Sequence, residues 1–206
     1  MPEYRDQANS IAEVYYHVMV SSCNKCGKGP LEAGDATSLH YDRGSESKSD
    51  QPDAVRLTIT CQACAAIEDR TYGLPRGTGL PKDGSPARVN DSDEPSALID
   101  LAEWVTLFRL LTASAAQTTS KPEARRLGLE AAQCLEEALK FFDDPESDLP
   151  SPSAFFTDRT KELSREHPGL YSRERLLELR SKLPSETVMR NRIQGKTKKR
   201  RWWKPW

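Results

Sequence analysis

At 206 residues, with 30% charged residues, 36% hydrophobic ones and 14 prolines, the chain has room for one or two domains with a modest core and connecting segments. No apolar run approaches the ~20 residues of a membrane-spanning helix, and the first residues, MPEYRDQANS, lack the basic-then-apolar layout of a secretory leader, so the expected location is the cytoplasm, or a nucleus in a eukaryote. The net charge of −1 hides a division: residues 187–206 carry eight basic and no acidic side chains, leaving −9 on the remainder.

Residues 14–22, VYYHVMVSS, are rich in β-branched and aromatic side chains and predict a half-buried strand. Val55, Leu57, Ile59 and Cys61 alternate with Arg56, Thr58 and Thr60, a cleaner strand pattern, and AIEDRTYGL from Ala66 supplies a further short one. The Ser-, Asp- and Gly-rich run DRGSESKSDQPD between them reads as a long hairpin loop. PRGTGLPKDGSPARVNDSDEP, residues 75–95, has no apolar period and reads as a linker.

Beyond it the period becomes helical. Leu98, Leu101, Ala102, Val105, Phe108 and Leu111 recur at three and four, and Ile99, Trp104, Leu107 and Leu110 widen the apolar face toward that of a central bundle helix. Ser120 and Glu123 have capping-box spacing for a second helix ending near Phe142, with Cys134 on its apolar face as a small core residue. Two shorter helices are expected around Ala154–Arg165 and Ser172–Leu183, separated by HPG.

The chemistry lies in the cysteines. Of five, four form two C-x2-C pairs, Cys23/Cys26 and Cys61/Cys64, with 34 residues between the pairs. Two thiolates three positions apart can face one ion when the backbone between them turns tightly, and Gly27 permits the positive φ that such a turn needs. Two turns then complete a tetrahedron around one Zn²⁺, and four thiolates leave no open coordination position, so the ion is structural. The long gap weakens this little, because loop-closure cost grows only logarithmically with length. A dithiol redox site and a rubredoxin-like iron site are the competing readings; the first lacks its usual βαβ setting.

Cys23, Cys26, Gly27, Cys61 and Cys64, in turns expected to follow strands, resemble the zinc-ribbon class over residues 14–74. That resemblance implies a fold and a metal, not an activity. Cys64 is followed by Ala65 where many ribbons repeat the glycine.

The tail KTKKRRWWKPW combines Lys196, Lys198, Lys199, Arg200, Arg201 and Lys204 with Trp202 and Trp203, a composition suited to phosphates and unpaired bases. An anionic membrane surface and a solvated terminus are alternatives. His17, His40 and His167 have no nucleophile motif nearby, so the sequence supports no enzyme. The reading is therefore an α+β chain: a small antiparallel β zinc ribbon (1–74), a linker (75–95), an α-helical bundle domain (96–186) and a basic C-terminal tail (187–206). The expected function is non-enzymatic binding of nucleic acid through ribbon and tail. The alternative is an adaptor whose helical domain binds a protein partner, its zinc site purely structural.

Overall fold

The computed structural model describes residues 6–39, 54–75, 89–90, 92–144 and 146–183, so His40, most of the expected hairpin loop and linker, and the whole basic tail lie outside the described residues. The chain order is β1 (Asp6–Gln7), α1 (Ile11–Val20), β2 (Leu31–Leu39), β3 (Ala54–Cys61), β4 (Ile67–Gly73), α2 (Leu101–Gln117), α3 (Lys121–Leu139), α4 (Asp158–Glu166) and α5 (Arg173–Ser181), with 3-10 turns at Pro152–Ala154 and Pro168–Leu170. The α+β class holds, and the sheet order is β1-β4-β3-β2.

Two corrections apply to the first half. The expected antiparallel sheet is mixed, because β1 runs parallel to β4 with Asp6 opposite Tyr72. The expected strand over 14–22 is the helix α1. Ser10 caps it, its hydroxyl accepting from the Glu13 N–H at 3.1 Å, while the Glu13 carboxylate accepts from the Asn9 N–H. The near-continuous apolar run reflects burial on two sides. Ile11, Val14 and Val18 face the sheet core with Leu57, Ile59 and Tyr72, while Tyr16 and Val20 pack on the helical core. Tyr16 meets the fully buried Trp104 edge to face, ring centroids 6.1 Å apart.

β2 is a strand that propensity hides, since LEAGDATSL carries few β-formers. It pairs antiparallel with β3 from Leu31↔Cys61 to Leu39↔Ala54, with a bulge between Ala33 and Ala36. Gly34 sits there because a Cβ would lie 3.1 Å from the Thr58 carbonyl oxygen. β3 alternates as expected: Val55, Leu57, Ile59 and Cys61 are buried, and Arg56 and Thr58 face out.

The helical half follows its apolar period. A three-residue connection makes α2 and α3 antiparallel neighbours, and Gly128, Ala131, Ala132 and Ala138 give α3 a stripe of small buried residues for α2 to approach. Ser120 caps α3 by accepting from the Glu123 N–H, but the Glu123 carboxylate turns to Arg126 at 2.6 Å. Cys134 is buried, as expected of a core residue, and burial pushes its thiol pKa up. Asp100 clamps two elements: one carboxylate oxygen accepts from the Glu103 N–H at 2.9 Å to cap α2, and the other from the Phe156 N–H at 3.0 Å. The end of the 75–95 segment is packed: Val89 is buried in the helical core, its carbonyl accepts from the Ser10 hydroxyl at 2.6 Å, and Lys140 donates to the Ser92 carbonyl at 2.7 Å.

Two half-buried groups on facing elements titrate in opposite senses. Burial, reinforced by the Asp100 charge, pushes the Glu103 carboxyl up to about 7 against the favourable Asp100 N–H. Burial, with the Arg70 charge, holds the His17 imidazole down at about 4. The Glu103 contribution to stability is full below its unfolded value of about 4.5 and is lost as pH rises through 7. The His17 contribution is full above its unfolded value of about 6.5 and is lost as pH falls through 4. The two slopes oppose each other across pH 4.5–6.5. Glu103→Gln keeps the capping geometry and removes one of them, so its stability relative to wild type should climb by about 1–2 kcal/mol between pH 4.5 and 7 in urea titrations, allowing for partial exposure.

Candidate metal centre

The four paired cysteines converge. Their Sγ atoms all lie within 4.8 Å of one another, with Cys23–Cys64 at 3.8 Å and Cys26–Cys61 at 3.7 Å. Thiolates bound tetrahedrally at about 2.3 Å from one ion would stand about 3.8 Å apart, whereas a disulfide would need about 2.05 Å. Cys23 and Cys61 are buried, Cys26 is half-buried and Cys64 is exposed, so the cluster lies at the edge of the sheet core. Among the described residues this is the single group of three or more potential ligands placed for a metal ion.

The two turns repeat one backbone design. In the first, the Gly27 N–H donates to the Cys23 carbonyl at 2.8 Å, and the Cys23 N–H donates to the Lys28 carbonyl at 2.8 Å. In the second, Ala65 N–H to Cys61 carbonyl and Cys61 N–H to Ala66 carbonyl have the same lengths, 2.8 Å each. The residue after the second cysteine is left-handed in both, Gly27 at φ 67° and Ala65 at φ 55°. The glycine that the sequence lacks at position 65 is thus lacking in chemistry but not in geometry. Ala65 adopts the same conformation at a cost of about 1–2 kcal/mol.

The supports of the turns differ. The second turn joins β3 to β4 as a hairpin, as expected, but the first hangs from the C-terminus of α1 and leads into β2. Ser21 ends α1, its hydroxyl donating to the His17 carbonyl at 2.7 Å. Asn24 donates to the Glu68 carboxylate at 3.1 Å, and Arg70, ion-paired to Glu68 at 2.5 Å, reaches the Ser22 carbonyl at 3.4 Å. The Gln62 N–H donates to the Pro30 carbonyl at 3.0 Å, joining the two turns directly. Of the turn lysines, Lys25 contacts a sulfur through its backbone, its N–H donating to Cys23 Sγ at 3.4 Å.

Electrostatics within the cluster favour one ready thiolate. The Cys26 and Lys25 N–H groups aimed at Cys23 hold its thiol down at about 7. At Cys64 the Ala66 N–H pulls the other way from the neighbouring Cys26 thiol and burial, and these prevail, pushing it up to about 12. A cation replaces that mutual opposition with attraction, so a metal ion is what the four-thiol arrangement accommodates. The expected tail residues 196–204 lie outside the described residues, and His17 and His167 are not brought to the cluster. No family model, no curated protein and no solved structure matches the chain.

The unequal turns give opposite responses to one methyl group. Ala65→Gly relieves the left-handed strain and should raise the stability of the metal-loaded protein by up to about 1 kcal/mol. Gly27→Ala meets no neighbouring atom yet imposes the same strain and should lower it by about 1 kcal/mol. Guanidinium denaturation of the two variants checks both signs.

Proposed function

We propose that the chain is a non-enzymatic binding protein whose N-terminal half is held in shape by one structural Zn²⁺ on Cys23, Cys26, Cys61 and Cys64. The observation that carries the metal assignment is the pair of 3.7–3.8 Å sulfur separations between two equivalent turns, the spacing of a closed tetrahedral site. Zinc is favoured over iron by its neutrality to redox and its preference for four-thiolate structural sites. With every coordination position filled by protein, the ion has no place to activate water or polarise a substrate. When bound it supplies cross-linking and charge neutralisation. The chain's own residues do the rest: peptide N–H groups orient the sulfurs, and Glu68 and Arg70 hold the first turn against β4. Purified protein should contain one zinc per chain, and Cys26→Ser or Cys61→Ser should abolish stoichiometric zinc and lower Tm by at least about 10 °C.

Nucleic acid is the proposed partner. Five basic residues within Lys196–Arg201 followed by Trp202 and Trp203 support it, since phosphates and base faces are what that composition attracts. Single-stranded oligonucleotide binding should weaken steeply with salt and disappear when residues 196–206 are removed. One observation favours the adaptor reading: Leu110, Leu149, Phe156 and Leu177 are large apolar side chains left exposed on the helical half. An adaptor keeps its partner through the same truncation.

A further inference from the structure

The helical half holds a cleft of about 290 Å³ between α4 and the segments before and after it. Its two walls differ in kind. One is apolar, made by Leu149, Pro150, Pro152, Phe155 and Tyr171. Prolines bring no N–H, and Phe155 and Tyr171 pack edge to face with ring centroids 5.5 Å apart, so this wall is stiff and poor in donors. It is also anchored. The Asp148 carbonyl accepts from the Arg173 N–H at 2.9 Å and the Asp148 carboxylate from the Glu174 N–H at 2.8 Å, tying the approach to Leu149 to the start of α5. The other wall is one face of α4, where Lys161, Ser164 and Arg165 stand at i, i+3 and i+4.

The charge on that face is unspent. Among the described residues no acidic side chain lines the cleft. Asp158 comes no closer to Lys161 than 4.0 Å and is itself fully exposed, a contact worth little. Among the described residues no carboxylate pairs with Arg165. The Ser164 hydroxyl already donates to the Lys161 carbonyl at 2.8 Å, so the donors left for an incoming group are the two cations. An apolar wall facing two cations is matched by a molecule divided the same way, a hydrocarbon body ending in an anion. Leu149 is 60% exposed, apolar surface that such a body would cover.

Size and donors narrow the class. The volume lies at the small end of ligand cavities, with room for one ring or a short alkyl chain. Two cations satisfy a carboxylate, whereas a phosphate, with more oxygens and more charge, also draws on backbone N–H groups, which Pro150, Pro152 and Pro168 do not have. Phe155 and Tyr171 are each 5% exposed, so neither ring has a face open for a nucleobase. The chain's own basic tail has the wrong sign, since residues 187–206 carry eight basic and no acidic side chains.

We propose that this cleft is a binding site for a small apolar carboxylic acid, its carboxylate held by Lys161 and Arg165 and its hydrocarbon body laid against the apolar wall. The site is separate from the cysteine cluster and uses no residue of the tail, so it stands whichever partner the tail engages.

The test uses the full zinc-loaded chain and phenylbutyrate as the probe, followed by two-dimensional amide NMR. Saturable binding at about 1 mM is expected of a ligand this size, with shifts at Phe155, Lys161, Ser164, Arg165 and Tyr171. Phenylbutanol keeps the hydrocarbon without the charge and phenylbutylamine reverses the charge, and both should bind at least about tenfold more weakly. Replacing Lys161→Gln and Arg165→Gln together should erase the preference for acid over alcohol while leaving Tm unchanged. Ser164→Leu puts bulk into the cleft and should weaken acid and alcohol alike. The proposal is overturned by equal binding of acid and alcohol, by shifts mapped away from the cleft, or by no saturation at about 10 mM phenylbutyrate. It is equally overturned if acetylated glycyl-phenylalanine binds more tightly, which makes the cleft a seat for protein C-termini, or if removing residues 196–206 tightens binding of the acid, which makes it the tail's own.

Discussion

Four cysteine sulfurs within 4.8 Å of one another repel as they ionise, and the N-terminal half is organised around holding them together. One pair hangs from a helix and the other from a hairpin, so the sulfurs meet only if α1 lies across the sheet at a fixed position along its axis. Ile11, Val14 and Val18 set that position by burying against Leu57, Ile59 and Tyr72. Ser21 ends the helix at the right turn, and Asn24, Glu68 and Arg70 tether the first loop to β4. The ligands themselves need little from the rest of the chain beyond this alignment, because each turn brings its own N–H groups to its own sulfur or carbonyl.

The cysteine cluster was legible because spacing alone constrains it: residues three apart across a tight turn present their side chains together whatever precedes the turn. What precedes it was not legible. Val14 to Val20 is apolar nearly throughout, and a segment buried on both faces shows neither the helical nor the strand period. The cue that resolves it is local, Ser10 followed three residues later by Glu13, which starts a helix whatever the β-branched content beyond. β2 was hidden for another reason. Its Gly34 is required by the close Thr58 carbonyl, and its Asp35 lies in the bulge, so the residues that fit the sheet there are those that spoil a strand pattern.

The helical half was read more fully because α2 and α3 are amphipathic, with one face in the core and one in water, and that arrangement writes its period into the sequence. The apolar stripe from Leu101 to Leu111 and the cap at Ser120 both survive in the structure, whereas Leu98 and Ile99, expected in the helix, precede its Asp100 cap, and Leu110, expected on its apolar face, is exposed. The start of α3 is where Ser120 placed it, but the reciprocal half of the capping box is missing because Glu123 turns to Arg126. The double role of Asp100, capping α2 and holding Phe156, could not be read from spacing, since it joins residues 56 apart.

Because α1 ends at one half of the thiol cluster while Tyr16 on its flank rests against Trp104, it works as an axle shared by two gears. A rotation that spread the sulfurs would drag an aromatic ring across the middle of the helical core, and a rearrangement of that core would pull on the sulfurs. The two hydrophobic clusters are therefore not free to fail separately: the cysteine cluster at one end and the indole at the other brace the same shaft.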